Sequence, residues 1–66
     1  MSTKKVGQIF KKARLAKSLT QAEVALRAGI SANTYARIER GIQSPNFSSV
    51  RNIARVLEIN INDLPS

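Results

Sequence analysis

The stretch from Leu19 to Gly41 (LTQAEVALRAGISANTYARIERG) constrains the fold of this chain more than any other part of it. It reads as two short helices joined by a tight turn. Thr20 with Glu23 three residues on has the spacing of a capping box, in which the hydroxyl and the carboxylate each accept from an otherwise unpaired backbone N–H. Ala22, Val24, Ala25 and Ala28 follow in the pattern of one buried face on a short helix. Gly29 stands where a left-handed residue can end that helix, with Ile30 after it as an apolar plug. Ser31 has the hydroxyl of a second N-cap. Tyr35 and Ile38 then lie three apart on one face of the second helix, and Gly41 closes it. A helix pair with so short a turn leaves the outer face of its second helix proud of the domain.

The flanking segments follow the same period. Val6, Ile9, Phe10 and Ala13 give one buried face to a first helix over about 3–17, with the lysines mainly on the opposite side. Ser18 and Leu19 link it to helices over 21–28 and 32–40. Residues 41–45 form a loop, because Gly41 and Pro45 punctuate it and nothing periodic runs through. Asn46 caps a helix over 46–57 that carries Phe47, Val50, Ile53, Ala54 and Leu57 on one face. Asn60, with Asp63 three residues later, starts a last short helix over 60–64 that points Leu64 inward, and Pro65 ends the regular structure. No segment alternates with period two between turns. The expectation is a single all-α domain over residues 1–66, a compact five-helix bundle. Its predicted core is Val6, Phe10, Ala13, Leu19, Ala22, Val24, Ala25, Ala28, Ile30, Tyr35, Ile38, Phe47, Val50, Ile53, Ala54, Leu57, Ile59 and Leu64. The small residues of the second helix let the third cross it closely. A 66-residue chain buries only about 60% of its unfolded surface, so local contacts, with dimerisation as a further source of burial, suit its size.

Charge narrows the partners. There are 11 Lys and Arg against 4 Asp and Glu, a formal net charge of +7. Residues 1–19 hold Lys4, Lys5, Lys11, Lys12, Arg14 and Lys17 with no acid among them. Such a surplus attracts polyanions through phosphate contacts and counterion release. An anionic membrane surface fits less well, because no segment has the broad, bulky apolar face of an interfacial helix. There is no Cys and no His, which excludes disulfides and the usual zinc sites. It also leaves little for catalysis, since there are only four acids and Glu23 is committed to its helix cap. The chain is therefore read as a non-enzyme without metal, cofactor or small-molecule ligand. No apolar run approaches the roughly 18 residues that span a bilayer, and the N-terminus lacks the apolar core of a secretory signal. A cytoplasmic location fits.

Leu19-Thr20-Gln21-Ala22-Glu23, Ala28-Gly29-Ile30-Ser31 and Ile38-Glu39-Arg40-Gly41, followed by Ser44-Pro45 and the ending from Leu57 to Leu64, resemble the helix-turn-helix family of phage repressors, Cro proteins and xenobiotic-response-element-type regulators. Stand-alone chains of this size resemble restriction–modification controller proteins in particular. The resemblance implies a repressor-type domain that binds double-stranded DNA, with the second helix of the pair entering the major groove N-terminus first. By position, Ser31, Ala32, Asn33, Ala36 and Arg37 then face the bases. Asn33 can pair bidentately with adenine and Arg37 with guanine, while the two alanines offer methyl contacts to thymine. Gln21, at the first turn of its helix, would donate to a phosphate beside free N–H groups. Arg40, Gln43 and Ser44 follow as phosphate candidates, and Lys17, Lys11 and Arg27 after them. The resemblance also implies an Arg14–Glu39 ion pair that ties the first helix to the reading helix.

Two residues depart from the family pattern. Glu58 stands where a residue tolerant of a left-handed cap is usual, and Leu26 where a charged residue is usual. Ile61, Asn62 and Leu26 are the candidate contacts of a homodimer, which would set two reading helices about 34 Å apart on one face of B-DNA. The alternative function is a protein-interaction module, such as an antitoxin with secondary DNA binding.

Overall fold

A computed structural model describes residues 3–64. Its helices are α1 (Thr3–Ala16), α2 (Gln21–Ala28), α3 (Ala32–Arg40) and α4 (Phe47–Leu57). A single 3-10 turn, Ile61–Asp63, follows α4 where the sequence reading places a fifth helix over 60–64. Asn60 caps this turn as expected, but its side chain accepts from Asn62 only two residues on, and Leu64 is already extended. The all-α class holds, with four α-helices and no strand among the described residues.

Local chemistry sets the helix starts. At α2 the Thr20 hydroxyl accepts from the Glu23 N–H at 3.0 Å, and the Glu23 carboxylate accepts from the Thr20 N–H at 2.9 Å, so the capping box is complete. The Ser31 hydroxyl caps α3 through the Thr34 N–H, and Asn46 caps α4 through the Ser49 N–H. Asn46 therefore precedes α4, one residue outside the expected start. All four helices end the same way, with a left-handed residue whose successor donates back five residues. Gly29 and Gly41 do this as read from the sequence, at φ 75° and 76°. Glu58 also takes positive φ, 58°, and the Ile59 N–H reaches the Ala54 carbonyl at 2.8 Å. The end of α1 was not foreseen: Ser18 sits at φ 57° and the Leu19 N–H bonds Arg14 O, so the helix stops at Ala16 instead of 17. A side chain at such φ costs of order 1 kcal/mol relative to glycine. Lys17 and Glu58, each in the turn that ends its helix, meet in an exposed ion pair at 2.6 Å.

The core runs through Val6, Phe10, Val24, Ala25, Ala28, Tyr35, Ile38, Val50, Ile53, Leu57 and Leu64. Ala54 is buried too, and Ile9, Ala13, Leu19, Ile30, Val56 and Ile59 seal its rim. Two expected core residues lie outside it. Ala22 is exposed, and Phe47 keeps 67% of its surface accessible. Both fall in the first turn of their helices, where the axis has not yet reached the layer it packs on. The Phe47 ring instead lies under the Arg51 guanidinium, 5.8 Å from its centroid. Gly7 is a buried residue that the periodicity omits. A Cβ there would stand 2.5 Å from the carbonyl oxygen of Glu39 and closer still to that of Ile38. α1 thus crosses the last turn of α3 backbone against backbone. No helix of the described residues is long and apolar enough to cross a membrane.

Candidate nucleic-acid interface

α3 has two distinct sides. Tyr35, Ile38 and Glu39 are buried. Ala32, Asn33, Arg37 and Arg40 are exposed and Ala36 is half-buried. Asn33, Arg37 and Arg40, at i, i+4 and i+7, form one outward row along the helix. The helix is nine residues long, about 13 Å at 1.5 Å per residue, a length that lies readily in a major groove. Ser31 is exposed, but its hydroxyl already accepts from the Thr34 N–H and donates to Thr34 Oγ1 at 2.8 Å. Its first task is to cap, and base contact would come on top of that.

The other end of α3 is tied into the domain by the predicted ion pair. Arg14 Nε donates to Glu39 Oε2 at 2.7 Å and Nη2 donates to Oε1 at 3.2 Å, a two-pronged contact. Arg14 Nη1 also donates to the Leu19 carbonyl at 2.9 Å, which fixes the link between α1 and α2. Burial is nearly complete, with side-chain exposures of 11% for Arg14 and 2% for Glu39. Burial alone would raise the pKa of the Glu39 carboxyl. The hydrogen bonds from Arg14, followed by the nearby Tyr35 hydroxyl and the Gln21 amide, outweigh it and hold the carboxyl below the ordinary range.

Gln21 occupies a position that sequence reasoning missed. Its amide nitrogen donates to Glu39 Oε1 at 3.0 Å. The residue expected to reach a phosphate therefore belongs, in the free protein, to the buried Arg14–Glu39 network. It remains half-buried and keeps a second amide proton. This bond brings the start of α2 to the last turn of α3, the end that leads into Arg40, Gln43 and Ser44. Arg40 and Ser44 are exposed and Gln43 is half-buried. Lys17 is exposed but paired with Glu58. The phosphate candidates Gln21, Arg40, Gln43 and Ser44 thus gather at the C-terminal end of α3, and the base candidates run from its N-cap to Arg37 in its last turn. The Gln21–Glu39 bond spans 18 residues, so no local spacing could reveal it. Lys11 and Arg27 are exposed. An open groove lined by Lys5, Gln8, Ile9, Lys12 and Asp63 involves neither α2 nor α3.

α2, the Gly29-Ile30-Ser31 turn and α3 together form a helix-turn-helix whose second helix presents a polar, basic face. The chain belongs to the helix-turn-helix family, whose model matches residues 10–64. It is 32% identical over 59 residues to an uncharacterised helix-turn-helix-type transcriptional regulator of Sinorhizobium fredii, y4dL. That match covers 89% of this chain and 30% of the relative, so the chain spans under a third of the relative's length. The fold is similar to the restriction–modification controller protein C.Esp1396I. Its wild-type crystal structure superposes with a TM-score of 0.84 at 27% identity, over 94% of this chain and 82% of that one. A tyrosine-to-phenylalanine mutant of the same controller gives 0.85 at 27% identity, over 94% and 78%.

Proposed function

We propose that this chain is a sequence-specific DNA-binding transcriptional regulator that reads the major groove with α3. One observation carries the reading: the outward row of Asn33, Arg37 and Arg40 is free of packing, while the opposite side of the same helix is locked to α1 and α2. The family match, the regulator relative and the controller-like fold support it. So does the net charge of +7, which favours phosphate neutralisation. Asn33 and Arg37, with Ser31, Ala32 and Ala36 beside them, face the bases. Gln21, Arg40, Gln43 and Ser44, at the C-terminal end of α3, hold the backbone together with Lys17. The protein acts on DNA in the cytoplasm and does no chemistry of its own.

Gel-shift titration against the DNA upstream of its own gene, with nonspecific competitor, tests this reading. Arg37→Ala is expected to relax discrimination at one base pair per half-site, by roughly 1–3 kcal/mol. Gln21→Ala is expected to weaken all sequences about equally. An identical, sequence-independent loss in both variants would remove Arg37 from base reading.

The operator is two-fold symmetric in this reading, because the regulator binds as a homodimer through Leu26, Ile61 and Asn62. Leu26 supports this assignment, since it leaves 80% of its surface exposed. Ile61 is half-buried, so part of its side chain is free to meet a second copy. Sedimentation of wild type is expected to show a dimer at tens of micromolar, and Leu26→Asp and Ile61→Asp to show monomers. A monomeric wild type that binds a lone half-site as well as a palindrome overturns it.

A further inference from the structure

Tyr35 is fully buried, and its hydroxyl, though it lies against the Glu39 carboxylate and the Arg14 guanidinium, makes no hydrogen bond of good geometry among the described residues. An orphaned buried hydroxyl costs about 1–3 kcal/mol, so its retention calls for a reason. Its place supplies one. Tyr35 precedes Glu39 by four residues on α3, which stacks the two side chains on one helix face. The hydroxyl therefore sits beside a carboxylate that already accepts from Arg14 twice and from Gln21 once. Burial pushes the Tyr35 hydroxyl pKa up and the neighbouring Glu39 carboxylate pushes it further, so the proton stays on the oxygen and is available to donate.

Gln21 is the one donor in this set that is not itself buried, so it is the one able to turn its amide toward a phosphate. We propose that Tyr35 is a positioning residue for DNA binding: when the Gln21 amide turns from Glu39 to a phosphate, the Tyr35 hydroxyl takes over the vacated acceptor site on the Glu39 carboxylate. This rests on the reading of Gln21 as a phosphate contact. Without such a stand-in, each DNA-bound domain would hold a buried carboxylate short of a donor. With it, the number of bonds to Glu39 is the same in both states, and the Arg14–Glu39 tie between α1 and α3 is undisturbed as the protein engages. No proton changes its owner; one hydrogen bond to Glu39 breaks as another forms. The orphaned hydroxyl of the free state is the reserve donor of the bound one.

The chain has one tyrosine and no tryptophan, so a single 13Cζ-labelled tyrosine resonance reports on this hydroxyl alone. Gln21→Ala removes the competing donor. In that variant, without DNA, the resonance is expected to move in the direction that wild type shows on binding its operator. Tyr35→Phe is expected to leave the thermal stability of wild type unchanged or slightly raised, yet to lower the melting temperature in the Gln21→Ala background. It is also expected to weaken operator binding of the otherwise wild-type protein by up to about tenfold, the worth of one net hydrogen bond. A resonance that stays put in folded Gln21→Ala, or a Tyr35→Phe effect on stability that is the same in both backgrounds, overturns the exchange. The NMR and melting measurements on free protein need no DNA. If they behave as expected while wild type retards no DNA fragment, the regulator reading fails and the hydrogen-bond exchange within the network stands. If wild type binds and Tyr35→Phe binds equally well, the positioning role is overturned.

Discussion

Glu39→Ala is expected to lower the stability of the free domain by about 3 kcal/mol, because it strands a largely buried guanidinium. Arg14 cannot escape by losing its proton, since an arginine stays charged at any accessible pH. The three donors that now serve Glu39 and the Leu19 carbonyl would be left with only the last of these acceptors. A domain of this size has only roughly 3–10 kcal/mol in total, so the melting temperature should fall by well over 10 °C at about 4–8 °C per kcal/mol. Circular dichroism melts without DNA measure it directly. Acid gives a second reading of the same contact. The Glu39 carboxyl titrates below its ordinary value of 4.5 in the folded protein. The stability it contributes is therefore fully present above that ordinary value and is lost as pH falls through the lowered one. Glu39→Gln should flatten this acid limb. An unchanged melting temperature in Glu39→Ala, with Arg14→Ala silent as well, would mean that the 2.7 Å contact holds nothing together.

What the sequence made legible was chemistry that acts over three or four residues. Thr20 with Glu23, Ser31 and Asn46 each cap a backbone N–H within reach of their own side chain, so their spacing alone announces the helix starts. Gly29 and Gly41 announce two of the helix ends, because a left-handed residue without Cβ carries no strain. The other two ends fall on Ser18 and Glu58, which do carry it. Resemblance flagged Glu58, but nothing local marked Ser18. Periodicity placed the core faces well from the second turn of each helix onward and failed in the first turn, at Ala22 and Phe47, where being in phase is not the same as being in contact. After Asn60 the chain closes only a single 3-10 turn before Leu64 turns extended, so the cap there starts no α-helix. At the site, the exposed row on α3 followed from the buried row opposite it. The Arg14–Glu39 pair, 25 residues apart, came from resemblance and not from any spacing. Gln21 joins the same network through a contact that only the packed α1–α2–α3 junction creates, and Tyr35, four residues before Glu39 on α3, borders it without a hydrogen bond of good geometry. A surface-type Gln and a core-type Tyr gave no hint of each other.

Gly7 is where the difference between local and packed chemistry has its second large consequence. By helix propensity, Gly7→Ala should stabilise α1 by about 1 kcal/mol. The structure reverses the sign. The new methyl would collide with the carbonyl oxygens of Ile38 and Glu39, which belong to a helix backbone and have no rotamer to move into. Relief requires α1 to lift from α3 as a body, which loosens Val6 and Phe10 in the core and lengthens the Arg14–Glu39 bonds at the same crossing. Overpacking of this kind typically costs 1–3 kcal/mol, and a backbone obstacle puts Gly7→Ala toward the upper part of that range, with Gly7→Val beyond it. Because α3 would be tilted by the intruding methyl, operator affinity should drop more than nonspecific affinity, which depends on charge and not on the aim of the reading helix. Thermal melts and gel shifts on Gly7→Ala measure both effects. A rise in melting temperature would mean that helix propensity dominates and that the α1–α3 crossing is slack enough to take a side chain.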